Sequence, residues 1–189
     1  ICREHAQLRQ WQPPTACQAV LRELLAHRAT LVRQRSALAQ AGNHSKDLAR
    51  LDELVLAALQ QAIEHIDEQL ASTVQADPAS QETFKCITSV PGLGLICGSL
   101  LVMLFGRLQT RSADAVIAFT GLDPRPNDSG KKTGQRRLSK RGWPEIRRLM
   151  YTAAMSAART KTWNSFYRAQ RDKGLSTTAA LVVLARKLL

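Results

Sequence analysis

In residues 126–142 of this 189-residue chain, a nucleophile, several cations and a turn-forming backbone coincide. The run reads Pro126-Asn-Asp-Ser-Gly-Lys-Lys-Thr-Gly-Gln-Arg-Arg-Leu-Ser-Lys-Arg-Gly142. A serine hydroxyl can attack phosphorus if its proton is drawn off and preplaced cations meet the charge growing on the phosphoryl oxygens. Ser129 stands beside Gly130, directly before the cations. Lys131, Lys132, Arg136, Arg137, Lys140 and Arg141 can supply that charge, and Arg147 and Arg148 follow one turn into the next helix. A plain structural role stays open. Ser129 is one of twelve serines, and a loop serine is commonly a turn former or a cap. Ser139, between Leu138 and Lys140, is similarly placed and can equally cap a turn.

Other chemistries fit poorly. All four histidines (His5, His27, His44, His65) lie in the first half, so no Ser–His base pair forms in the basic half, and the histidine expected beside the arginines of a tyrosine-recombinase site is missing. Cys2 and His5 make one CxxH pair, and no second pair follows at zinc-finger spacing. Gly130-Lys-Lys-Thr133 fails as a phosphate loop: Lys132 stands where Ser or Thr is needed, and Arg125 where the first Gly is needed. A two-metal nuclease needs converging carboxylates, and Asp114, Asp123, Asp128, Glu145 and Asp172 are dispersed.

Charge separates the two halves. The net charge is +12. Residues 1–85 hold 9 basic and 10 acidic side chains, whereas 86–189 hold 18 and 5. Within the second half, 125–148 carries nine basic residues, Arg125 among them, against Asp128 and Glu145. This density is an electrostatic footprint for a polyanion. Gly, Pro and Asn fill the run, so it is not a basic amphipathic helix for a membrane surface, and no apolar run reaches the ~18 residues of a membrane span. The first ten residues are polar and do not resemble a signal peptide. Four scattered cysteines argue against a disulfide scaffold. The sequence starts at Ile1 and stops inside an apolar helical pattern, which reads as a piece of a longer protein.

The elements that must position this loop read as helices throughout. After Trp11-Gln-Pro-Pro14, apolar residues from Val20 to Leu38 recur at helical spacing. Gly42-Asn43 breaks that helix. A second helix over about 47–75 has the stripe Leu48, Leu51, Val55, Leu59, Ile63, Ile66, Leu70, Val74. The pair predicts an antiparallel hairpin. Its narrow stripe suggests coiled-coil packing, within the hairpin or with a second subunit, and polar substitutions at Leu51, Leu59 and Ile66 are expected to dissociate an oligomer. Asp77-Pro78 ends the second helix. A third, 80–89, leads through Val90-Pro-Gly-Leu-Gly94 into a fourth, 95–105. This is the form of a helix-hairpin-helix, in which Gly92 and Gly94 expose backbone N–H groups to a DNA phosphate without reading sequence. An ordinary helix–helix turn is the alternative. A short helix over 110–119 precedes the loop region 121–142, and Pro144 opens the next. Ile146, Leu149, Met150, Ala153, Ala154 and Ala157 give that helix a close-packing face. Trp163, Phe166 and Tyr167 mark another, and Ser176 caps the last. No convincing strand run is present.

The runs Ile87-Thr-Ser-Val-Pro-Gly-Leu-Gly94, Ala118-Phe-Thr-Gly-Leu-Asp-Pro-Arg125, Ser129-Gly130, Leu138-Ser-Lys-Arg-Gly142 with Arg147-Arg148-Leu149, and Ala185-Arg-Lys-Leu-Leu189 occur in that order. Together they closely resemble the C-terminal domain of the transposases of insertion sequence 110 and its relatives 116 and 902, over about 86–189. The hairpin before it is similar to the family's coiled-coil segment.

The resemblance implies more than the residues do. The serine matching Ser129 is the family's nucleophile, expected to form a 5′-phosphoserine link to a cleaved DNA strand. A structured guide RNA, the bridge RNA, pairs with donor and target DNA. Subunits form dimers and tetramers, and magnesium binds four acidic residues of an N-terminal RuvC-like domain. That domain is not matched here, 1–14 being expected as its tail or a linker, so no cofactor is expected in this fragment, and the fragment alone is expected to be inactive. The resulting expectation is an all-α chain: 1–14 a tail or linker, 15–78 a coiled-coil hairpin for oligomerisation, and 79–189 a helical serine domain that binds DNA through Gly92, Gly94, Arg125, Lys131, Lys132, Arg136, Arg137, Lys140, Arg141, Arg147 and Arg148. Expected partners are DNA, the bridge RNA and further copies of the chain, in the bacterial cytoplasm at the nucleoid, with no membrane. The competing reading is a non-catalytic helical DNA- or RNA-binding and oligomerisation module. Its Gly content and like charges lead us to expect 125–142 to be mobile without nucleic acid.

Overall fold

A computed structural model describes residues 13–41, 45–108, 112–126, 134 and 136–189. The chain is all-α, with eight helices among the described residues. Helix α1 spans Ala16–Gln40 and α2 spans Lys46–Ala76. Thr15 and Gln18 close a reciprocal capping box at the start of α1, each side chain accepting the other's backbone N–H at 3.2 Å. The two helices run antiparallel. Cys17 meets the Thr73 carbonyl, and farther along Arg28 grips Asp67 with two charge-assisted hydrogen bonds of 2.5 and 2.9 Å.

Asp77 turns the chain by accepting the Ser80 N–H at 3.0 Å, and Pro78 opens α3 (Pro78–Thr88) where a missing N–H costs nothing. That contact with Ser80 holds the Asp77 carboxyl below its usual pKa. Helix α4 (Leu95–Arg107) is buried on every face from Cys97 to Leu104. It has no polar face to present to water, so it must be central. Helices α1, α2, α3 and α6 pack around it.

Short α5 (Ala113–Thr120) ends at Gly121. The segment read as pure loop holds a short antiparallel ladder instead. Strands β1 (Pro124–Arg125) and β2 (Arg137–Leu138) pair in the register Pro124↔Leu138 and Arg125↔Arg137. Two-residue strands leave no periodic signature in a sequence, which is why pattern reading missed them. Helices α6 (Pro144–Ala157), α7 (Lys161–Asp172) and α8 (Thr177–Leu188) complete the fold. The buried face of α6 is the predicted one: Ile146, Leu149, Met150, Ala153, Ala154 and Ala157.

The stripe on α2 divides in two. Ile63, Ile66, Leu70 and Val74 are buried within the chain and Leu59 is half-buried, whereas Leu48, Leu51 and Val55, with Leu54 beside the stripe, are about half exposed or more. Ile66 belongs to the same core as α4 and α6, along with Leu21, Leu25, Leu70 and Val74. The hairpin's open end and the helices after residue 78 therefore share one core, and a polar group at Ile66 would break the fold itself rather than an oligomer contact. Among the described residues no helix is long and apolar enough to cross a membrane.

Candidate nucleic-acid interface

The described residues on either side of the basic loop form a stem of two sequence-distant strips, 119–125 and 137–143. Gly121 ends α5 in the left-handed region at φ +72°. A β-carbon there would lie 2.0 Å from the Arg141 carbonyl oxygen, so the position needs glycine both for its backbone angle and for space. One on Gly142 would sit 2.3 Å from the Phe119 carbonyl oxygen. The strips are stitched by Ser139 N–H donating to the Asp123 carbonyl at 2.9 Å and Lys140 N–H to the Gly121 carbonyl at 3.1 Å. The Ser139 hydroxyl donates to the Asp123 carboxylate and accepts weakly from Arg141 N–H at 3.4 Å. Ser139 thus acts as the turn-former that the sequence left open. Lys140, at φ +53°, is the non-glycine residue that takes the left-handed strain of this turn.

Arg147 locks the stem onto α6. Its Nη1 donates to the carbonyls of Thr120 (3.2 Å), Gly142 (3.2 Å) and Arg141 (3.3 Å). The Thr120 carbonyl ends α5, where unpaired carbonyls carry partial negative charge, so a cation fits there. Arg148 is engaged with Glu145 through hydrogen bonds of 2.9 and 2.5 Å, which hold its pKa above the ordinary value. Arg125 lies 3.8 Å from Asp123 and is partly exposed. Arg136, Arg137, Lys140 and Arg141 remain: all four are exposed, and among the described residues none has an ion-pair partner. Expected residues therefore differ in what their charge already touches. Four are uncommitted, Arg125 is loosely paired, and Arg147 and Arg148 are engaged within the protein. Ser129, Lys131 and Lys132 lie outside the described residues.

The glycine turn is a separate element. Val90 to Leu93 close a turn through Leu93 N–H and the Val90 carbonyl, 3.1 Å apart, with Gly92 at φ +104°. A β-carbon on Gly92 would lie 2.6 Å from that of Ala157, so this glycine lets the turn approach the end of α6. Gly94 is exposed and precedes α4 without a side-chain cap, with open space around it. Ala157 and Gly142 lie at opposite ends of α6. At ~1.5 Å per residue the turn and the stem stand about 20 Å apart, so the structure does not merge them into one patch.

Among the described residues no three His, Cys, Asp or Glu side chains come together, and Asp123 and Glu145 are occupied by Ser139 and Arg148. Cys97 is buried beside the Leu149 carbonyl, and burial pushes its thiol pKa up to about 11. Sequence reading missed the anchoring part of Asp123, whose Asp-Pro pairing is a turn signal in its own right. It also missed the carbonyl clamp of Arg147, which has no sequence signal because Thr120 is 27 positions away.

Residues 84–168, from within α3 into α7, match the model of the Transposase IS116/IS110/IS902 family. The chain is 32% identical over 134 residues to an uncharacterized 44.8 kDa protein of insertion element IS116 from Streptomyces clavuligerus, covering 70% of this chain and 33% of that protein. It is 29% identical over 144 residues to an uncharacterized 42 kDa protein of insertion element IS900 from Mycobacterium paratuberculosis, covering 71% and 35%. The chain spans about a third of the length of these curated relatives.

Proposed function

Because the chain belongs, through residues 84–168, to the IS116/IS110/IS902 transposase family, we propose that it is the DNA-holding, serine-bearing part of an insertion-element transposase. The observation that carries this reading is that Arg136, Arg137, Lys140 and Arg141, on a stitched stem next to the segment holding Ser129, have no ion-pair partner among the described residues. A loop that only closed a turn would not need four unpaired cations on its rim. Phosphates are the natural counter-charge, and binding through them carries no base preference.

In the proposed reaction the Ser129 oxygen attacks a DNA phosphodiester. The new bond joins serine to the 5′-phosphate, the bond to the 3′-oxygen breaks, and the serine proton ends on the released 3′-hydroxyl. The basic residues hold the charge that grows on the non-bridging oxygens. Arg147 contributes indirectly by fixing both strips of the stem. Gly94 at the open start of α4 supports a second phosphate contact about 20 Å away, a spacing of roughly six phosphates along one strand. The exposed Leu48, Leu51, Leu54 and Val55 on α2 support assembly with further copies of the chain. A guide RNA as selector of the target, and magnesium on acidic residues of a further domain, belong to the same proposal for the whole protein.

The test uses the full-length protein with its element's RNA, a labelled DNA junction and magnesium. A covalent protein–DNA adduct on a denaturing gel should form with the wild type and vanish with Ser129→Ala, while DNA affinity stays within about two-fold. An adduct that survives in Ser129→Ala would remove the nucleophile assignment. No adduct in either, with tight salt-sensitive binding in both, would favour the non-catalytic binding and oligomerisation module.

A further inference from the structure

Beside the stem lies a cleft of about 350 Å³. Met103 and Ile146 line its apolar part together with the aromatic rings of Phe119 and Trp143, and Arg22 of α1 and Arg107 of α4 complete the lining. Phe119 is 48% exposed, which is high for a phenylalanine on a folded chain. Both arginines are exposed, and among the described residues neither has an ion-pair or hydrogen-bond partner.

Building on the proposed DNA-holding function, we propose that this cleft receives one unstacked nucleobase of the DNA strand held at the basic stem, with Arg22 and Arg107 meeting the phosphates on either side of it. The volume lies at the low end of the ~300–1,000 Å³ range of small-ligand pockets. It admits a single nucleotide and excludes a duplex. Aromatic walls stack any base, since every base has a π-face, and guanidinium groups serve the flanking phosphates. An apolar side chain from a protein partner is a poorer occupant, because seating it would desolvate two uncompensated cations.

The cleft and the stem are also mechanically one unit. Phe119 precedes Thr120, and Trp143 follows Gly142, and Arg147 holds the carbonyls of Thr120 and Gly142. The clamp that fixes the stem therefore fixes both aromatic walls. A strand bound along the stem has the cleft beside it, where a base freed from its stack can be parked while the backbone next to it is cut and exchanged.

Three DNA probes test this with the 189-residue chain: a paired duplex, the same duplex with one single-base bulge, and the bulge with that base removed to leave an abasic site. The intact bulge should bind about 5- to 150-fold more tightly than the abasic one, the range for loss of one base–aromatic stack. Phe119→Ala should bring the affinities for the intact and abasic bulges to within about two-fold of each other, read as a ratio within that variant. Phe119→Tyr should keep the preference, which separates loss of the ring from loss of the fold. Equal affinity for the intact and abasic bulges, or a preference that persists in Phe119→Ala, overturns the proposal. A stronger preference for the same bulge in RNA would overturn its assignment to DNA. Failure to bind even the paired duplex would instead count against the DNA-holding function on which the proposal rests.

Discussion

Replacing Arg147 by Met removes a cation from a strongly basic chain, yet the structure predicts a loss of stability rather than a loss of DNA charge contacts. Its Nη1 serves three carbonyls at 3.2–3.3 Å, those of Thr120, Arg141 and Gly142. One Nη carries two hydrogens, so about two full hydrogen bonds are at stake. A bond from a charged donor is worth ~1.5–3 kcal/mol net. Water can reach the exposed Arg141 and Gly142 carbonyls after the change, whereas Thr120 is fully buried. The expected cost is therefore about 2–3 kcal/mol. For a chain of this size that corresponds to a fall of roughly 4–12 °C in Tm. Circular dichroism melts read the stability, and DNA titrations between 50 and 200 mM salt, a range set by the steep salt response of phosphate binding, read the charge contacts. Arg147→Met should leave the salt slope nearly unchanged. Arg136→Ala should do the reverse: Tm within about 2 °C, as for a surface change, and a slope smaller by ~0.9, the share of one phosphate. An Arg147→Met protein with unaltered Tm and a slope reduced by a full phosphate would refute the carbonyl-clamp reasoning.

Further changes separate packing from surface function. Gly121→Ala should destabilise by ~3 kcal/mol or more, from left-handed strain plus a clash with the Arg141 carbonyl, and urea unfolding measures it. Leu51→Glu, at a 56% exposed site, should shift the mass in light scattering towards the monomer and remove any dependence of Tm on protein concentration, whereas Ile66→Glu, at 6% exposed, should lower stability by several kcal/mol. Cys86 should react with iodoacetamide in the native state while Cys97 reacts only on unfolding, as mass spectrometry after timed labelling would report. Because the Cys97 pKa is raised on folding, the unfolded chain releases that proton first. The stability contributed by the neutral thiol should therefore be lost as pH rises from about 9 to about 11, and Cys97→Ala should show less of this loss in unfolding curves.

Local rules made most of the helices readable. The Ser176 cap, Asp77-Pro78, Pro144 and the α6 face of Ile146 to Ala157 each depend on residues within a few positions of one another. Periodicity said that α2 has an apolar stripe, but not which part of it meets its own chain. That depended on how far α4 and α1 reach along α2, which buries Ile66 and Leu70 and leaves Leu51 and Leu54 exposed.

The candidate site divides along the same line. Sequence alone determined the charge asymmetry, the basic run with Ser129 at its head, the glycine turn and the all-α class, because composition and short-range spacing carry all four. Tertiary structure decided which cations are already committed. Arg147 turns inward only because Thr120 and Gly142 meet above it, and Arg148 is held by Glu145 one turn away. It also decided that Gly92 faces Ala157, that the turn and the stem lie at opposite ends of α6, and that Phe119 and Trp143 share a cleft with Arg22. A charge count is additive along the chain, but commitment of a charge depends on which distant carbonyl or carboxylate the fold brings within ~3 Å of it.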